Sequence, residues 1–218
     1  MRKTSIAKKG ALLLNISGMT QKKWDLIVAG GGLSGVAAAV SARRQGLEVL
    51  LIEKAGFLGG APATCLVNPF MPYCTRVNGE KFPLSRGFFA QLQQLLRETG
   101  GYQGMGGAAG EAEISEELHE EYVKLALDRL IVREGVQPLF HAYLCGVEKE
   151  GETVRAVLAA TKSGTLRFEA RYFIDCTGDA DLAVLAGCPY RLGREEDHLC
   201  QPMTLCFRIG NIDIPTFD

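Results

Sequence analysis

The stretch DLIVAGGGLSGVAAAVSARRQGLEVLLIEK, residues 25–54, decides the fold. Asp25 to Ala29 is a short apolar run of strand character. Leu33 to Gln45 is rich in alanine and valine without a breaker, and Leu47 to Ile52 is again strand-like. Together they make one strand, helix, strand unit of about thirty residues, the length a parallel crossover needs. Gly30, Gly32 and Gly35 stand in the GxGxxG spacing, after the first strand and at the start of the helix. The first glycine permits the tight turn, the second lets a pyrophosphate approach the backbone, and the third lets helix and strand pack without a Cβ between them. Unpaired N–H groups at the positive helix end suit an anion. Glu53 closes the second strand, where a carboxylate can accept hydrogen bonds from both hydroxyls of an adenosine ribose and would repel a phosphorylated one.

Further along the chain, 56–83 is rich in glycine, proline and small residues with no sustained period, the pattern of a long irregular excursion. Ser85 is expected to cap a helix with Phe88, Leu92, Leu95 and Leu96 on its apolar side, ending at Gly100 and Gly101. A glycine-rich loop follows over 101–110. Ser115 is expected to open a second helix, with Glu116 and Glu117 against its positive end, Leu118, Tyr122, Leu125 and Ala126 on one face and Gly135 at its close. Three strand-like runs, 138–147, 153–160 and 165–175, read as an antiparallel meander broken by turns near Gly151 and Gly164. The pattern changes near Gly187 to Gly193, and another strand-like run covers 203–209.

Composition narrows the function classes. The 24 basic residues nearly cancel the 25 acidic ones, and no basic stripe with interleaved aromatics supplies a nucleic-acid footprint. No stretch approaches the roughly 20 apolar residues of a membrane helix. Seven cysteines (Cys65, Cys74, Cys145, Cys176, Cys188, Cys200 and Cys206) form no CxxC pair, which reads as reduced, core-like thiols and a cytoplasmic protein. Basic residues around the short run Ala11 to Ile16 superficially resemble a secretory signal, but the run is too short and is broken by Asn15. A disordered leader is the plainer reading, with Met19 a candidate initiator.

The glycine fingerprint and Glu53 cannot separate NAD from FAD, since both present the same ADP moiety. The run Tyr172 to Asp179, YFIDCTGD, supplies a second landmark. It resembles the strand ending in a threonine–glycine pair that follows a meander in two-dinucleotide-fold flavoproteins. The order of GxGxxG, acidic strand end, GFLGGAPAT, meander, IDCTGDADLA and QPMTLCFRIG is similar to bacterial FAD-dependent oxidoreductases related to fumarate reductase flavoproteins, from Trp24 onward. The resemblance implies an α/β fold: a Rossmann-like FAD-binding domain with a parallel sheet and β-meander over 24–188, after a leader at 1–23. The beginning of a truncated substrate domain would cover 189–218.

It also implies FAD as cofactor, with Gly30, Gly32 and Gly35 at the pyrophosphate, Glu53 at the ribose, Lys54 beside the adenosine and backbone near Leu144 at the adenine. Gly59, Gly60 and Thr64 would lie along the pyrophosphate and flavin side, and Thr177, Gly178 and Asp179 would form the second wall of the cleft. Thr177 and Gly178 also read as a strand-terminating turn, and Asp179 or Asp181 as a helix N-cap. Such flavoproteins run to about twice this length, which points to an N-terminal fragment.

No catalytic residue is selected by the sequence. His198, Arg194, Arg208 and Cys200 are each conceivable as acid, base or anchor for an unidentified small-molecule substrate. His119 and His141 read as structural, and Cys65 with Cys74 matches no known dithiol spacing. No metal site is expected. The competing readings are an FAD-dependent oxidoreductase, a non-catalytic FAD- or nucleotide-binding module completed by another chain, and an NAD-dependent dehydrogenase; a homo-oligomer or a complementing chain is the protein partner considered. The meander and the TGD run argue against the dehydrogenase.

Overall fold

The computed structural model describes residues 16–67, 69–70, 74–84, 86–101, 116–207 and 209–211. The chain divides into two compact bodies. One is formed by residues up to Leu58 together with Leu127–Pro189, the other by Gly59–Ala126 with Tyr190 onward.

The first body opens with helix α1 (Ile16–Gln21), strand β1 (Lys23–Ala29), helix α2 (Leu33–Arg44) and strand β2 (Val49–Ile52). All four residues of β2 and the last four of β1 are buried, as expected of parallel strands covered on both faces. Later come β7 (Gln137–Leu139), β8 (Tyr143–Glu150), β9 (Thr153–Thr161) and β10 (Gly164–Asp175), then the short helix α6 (Asp181–Leu185). The six strands form one sheet in the order β7, β2, β1, β10, β9, β8. β2, β1 and β7 run parallel, and β8, β9 and β10 are the antiparallel meander.

The twelve-residue β10 joins the two halves of the sheet. Its first part pairs antiparallel with β9, and its second part pairs parallel with β1, from Lys23 opposite Glu169 to Ala29 opposite Asp175. Phe168 sits at the changeover and is fully buried with Ile27, Leu50 and Val157. Burial of each such large side chain is worth about 1.5–3 kcal/mol. The register has a functional consequence: Ala29 lies beside Ile52 on one side and Asp175 on the other, and Ile52 lies beside Leu139. The carboxyl ends of all four parallel strands therefore finish together. The crossover leaves β1 toward β2 while β10 lies on its other side, so β1 marks the switch point where open α/β sheets hold ligands.

The second body contains α3 (Ala61–Thr64), β3 (Pro69–Phe70), β4 (Cys74–Val77), β5 (Glu80–Pro83), α4 (Phe88–Thr99) and β6 (Glu116–Glu117). Helix α5 (Glu120–Glu134) follows, and its residues from Leu127 onward belong to the first body. The excursion read over 56–83 thus contains the hairpin β4–β5 and the strand β3, which pairs with β6. α4 ends as expected on Gly100, at φ 81°. It follows Gly87, while Ser85, Ser115 and most of the 101–110 loop lie outside the described residues.

Several expectations are corrected. The leader read over 1–23 gives way to folded structure by Ile16: Met19 is buried, and the Trp24 indole donates to its carbonyl at 3.2 Å. The second helix begins at Glu120, not Ser115. This stretch carries two Glu–Glu pairs, at 116–117 and 120–121; the first pairs as β6, and the second supplies the acidic first turn, where His119 Nδ1 accepts from the Glu121 N–H. The run read as one strand over 138–147 is two, because His141 turns the chain at φ 52°. Residues 203–207 form no ladder; Met203, Leu205 and Phe207 alternate as in a strand but stand exposed. The cysteines are not core-like: of the six free thiols described, five are exposed and Cys176 is half-buried. No helix among the described residues is long and apolar enough to cross a membrane.

Candidate functional site

Gly30 follows β1 directly and adopts φ 97°, a conformation that favours glycine. A Cβ there would overlap the Cys176 carbonyl and lie 2.9 Å from Thr177 Cα, so the β1 turn and the β10 turn touch backbone to backbone. A Cβ on Gly35 would overlap the Gly30 carbonyl oxygen, which is how α2 packs directly on the end of β1. Gly32 is the N-cap of α2. It brings no side chain to the helix end, and the first turn holds no acidic residue. The positive end of a twelve-residue helix is thereby left for an external anion.

Glu53 is 9 % exposed. Its Oε2 accepts the Gly31 N–H and its Oε1 accepts the Ala55 N–H, both at 2.6 Å. Its own backbone bridges to the neighbouring chain, with N–H to the Leu139 carbonyl and C=O from the Ala142 N–H. These four bonds fix the carboxylate against the glycine turn. Each oxygen holds one donor and retains acceptor capacity for another. Gly31 is a requirement the GxGxxG reading missed: a Cβ there would stand 2.6 Å from Leu58 Cδ2 and 3.0 Å from Glu53 Oε2. The uninterrupted triple glycine was its signal.

Glu53 opens on a shallow cleft lined by Gly30, Lys54, Tyr143, Leu144, Thr177 and Asp181 among others. Of the residues singled out in the sequence, Gly30, Glu53, Lys54, Leu144 and Thr177 are brought together there. Gly178 and Asp179 stand exposed on the turn between Thr177 and α6. Gly59, Gly60 and Thr64 belong to the second body, where Gly60 is the N-cap of α3 and its carbonyl accepts the Thr64 hydroxyl at 2.8 Å.

The turn after β10 is organised by Asp175. Its Oδ1 accepts the Thr177 N–H at 3.0 Å and the Thr177 hydroxyl at 2.7 Å, while Oδ2 accepts the Ala183 N–H at 2.9 Å. Burial pushes this carboxyl up, but the bonds from Thr177, Ala183 and Leu182 outweigh it and hold it below the ordinary carboxylate range. Burial, then the Asp175 charge, push the Cys176 thiol up, away from a reactive thiolate. Neither Asp179 nor Asp181 caps α6; its N-cap is Ala180, in a left-handed conformation with no side-chain bond.

Of the remaining candidates, Arg194 and Cys200 line one open surface pocket, and the His198 N–H donates to the Arg194 carbonyl at 2.9 Å. Arg194 is held in a two-point ion pair by Asp197, with both contacts at 2.7 Å, and His198 and Cys200 are exposed. Arg208 lies outside the described residues. The His141 ring covers Gly56, and that of His119 meets Tyr122 edge-on.

The model of the family described as FAD dependent oxidoreductase matches residues 25–217. The chain belongs to that family. FAD is its cofactor. Dihydrolipoamide dehydrogenase of Chaetomium thermophilum is 47 % identical over 47 residues, covering 22 % of this chain and 9 % of that enzyme. Among solved structures, the flavin-dependent brominase Bmp2 superposes with a TM-score of 0.55 at 18 % identity, over 76 % of this chain and 41 % of the brominase. Thermovibrio ammonificans THI4 gives 0.54 at 16 % identity, over 83 % of this chain and 68 % of THI4. The structural likenesses show the shared α/β fold. The chain spans well under two thirds of the dehydrogenase and of the brominase.

Proposed function

We propose that the first body of this family member holds the ADP half of FAD and forms the nucleotide-binding portion of a flavin-dependent oxidoreductase. The observation that carries this reading is the pairing of an uncapped helix end with a fixed carboxylate across one glycine turn. A side chain on Gly30, Gly31 or Gly35 would clash with the protein itself, so the turn keeps its backbone close and bare. Gly30, Gly32 and Gly35 would face the pyrophosphate with the amides of the first α2 turn. Glu53 would receive the ribose hydroxyls, and Lys54 and Leu144 would flank the adenosine. Thr177 would close the other wall, with Gly178 and Asp179 at its outer edge.

Bound FAD supplies the capacity to accept and return electrons or hydride. The work of these residues is to grip its nucleotide end and hold it in one orientation. The substrate is a small molecule of unidentified class. The free cysteines are consistent with a reducing compartment, the cytoplasm.

A second reading is a binding module completed by another polypeptide or a second copy, and it is favoured by the state of the acid, base and anchor candidates: Arg194 is tied up in a two-point ion pair with Asp197, and His198 and Cys200 stand exposed. Both readings require FAD. Purified chain mixed with FAD and passed through gel filtration should elute with the flavin absorbance bands, and turnover of an artificial electron acceptor would then separate enzyme from module. Elution without any flavin would contradict the reading that this chain alone grips FAD and would favour a portion completed by another chain.

A further inference from the structure

We infer that Asp175 is a positioning residue for this cleft: without touching the nucleotide itself, it holds the wall formed by Thr177 and Asp181. The inference rests on the ADP-site reading above. Thr177 and Asp181 are the two residues after β10 that line the cleft. They are separated by a turn with Gly178 at φ 90° and Ala180 at φ 60°, and Ala180, the N-cap residue of α6, supplies no side-chain bond to the helix end. A set of hydrogen bonds bridges that turn. Asp175 takes the N–H and hydroxyl of Thr177 on one oxygen and the Ala183 N–H, eight residues along the chain, on the other. The Thr177 hydroxyl, having donated to Asp175, accepts the Asp181 N–H at 2.8 Å. Asp175 is not among the cleft-lining residues, so its effect on a nucleotide passes through Thr177 and Asp181.

A carboxylate suits this place because every partner is a donor. Asparagine offers one oxygen and turns an NH₂ group toward N–H groups, which breaks one side of the bridge. A hydroxyl at position 177 is equally required, since only a group that both donates and accepts can pass the constraint from Asp175 to Asp181.

The test is ADP binding by calorimetry on the full chain, with thermal unfolding run alongside. Asp175→Asn and Thr177→Val should each weaken ADP roughly tenfold, the size expected for a lost bond to a charged group. The double variant should be little weaker than either single one, because both break the same link. Thr177→Ser, which keeps the hydroxyl, should restore wild-type affinity; a general packing defect at this position would not be rescued that way. If Asp175→Asn does not fold, the comparison of Thr177→Val with Thr177→Ser decides. Folded variants that bind ADP as tightly as the unaltered chain would overturn the inference and leave the ADP site intact. Failure of the unaltered chain to bind ADP would overturn the underlying site reading and this inference with it.

Discussion

Gly35→Ala is expected to destabilise the chain by about 3 kcal/mol, at the upper end for an overpacked interior position. The added methyl would overlap the Gly30 carbonyl oxygen and lie 3.3 Å from Cys176 Cβ, so α2 has to lift from the end of β1. Neither obstacle is the far end of a flexible side chain, and neither can move without moving the turn. For a domain of this size such a loss lowers the thermal midpoint by roughly 10 °C. The same displacement carries the first-turn amides of α2 away from the glycine turn, so FAD retention should fall with stability. Gly46→Ala is the control. Gly46 also has a positive φ, 83°, but nothing lies within 4 Å of its Cβ position. Its cost should be the conformational strain alone, on the order of 1 kcal/mol, with nucleotide binding unchanged. Calorimetric unfolding and FAD titration of the two variants check both halves.

Glu53→Ala is expected to lower nucleotide affinity by about a hundredfold and stability by about 2 kcal/mol. Two sources contribute. The Gly31 and Ala55 N–H groups each lose an acceptor at 2.6 Å, and a shielded donor left unpaired costs about 1–3 kcal/mol. The ribose hydroxyls also lose the group that would accept from them, worth a further 1.5–3 kcal/mol or so for a charged acceptor. Glu53→Gln keeps one oxygen and should fall between wild type and alanine in both measurements. Equal affinity in all three proteins would show that the nucleotide does not meet Glu53.

The unit around Gly30 was legible because its constraints are local. The strand, the glycine spacing, the helix and the acid at position 53 occur within thirty residues, and each has a physical reason that a single side chain reveals. The meander was legible for a similar reason, since Gly151 and Gly164 mark its turns. Position 31 was only half legible: the triple glycine marks it, but its demand comes from Leu58 and Glu53, which approach it only in the folded chain. Asp175 was hidden in the same way: in the sequence it is the last residue of an apolar strand, and its partners lie two and eight residues ahead. The start of α5 was misread because two acidic pairs look alike until one of them finds a strand partner. The alternation at 203–207 gave a strand pattern without a strand. Alternating apolar residues report what a segment can pair with, and no ladder partner meets these among the described residues.

The most direct test of the central claim is an amide chemical-shift titration of the isotopically labelled chain with ADP. The account predicts saturable shifts centred on Gly31, Gly32, Leu33 and Ser34, joined by Ala55, Leu144 and Thr177. Saturating ADP that leaves these amides unmoved, or that moves only residues in 190–207, would contradict it.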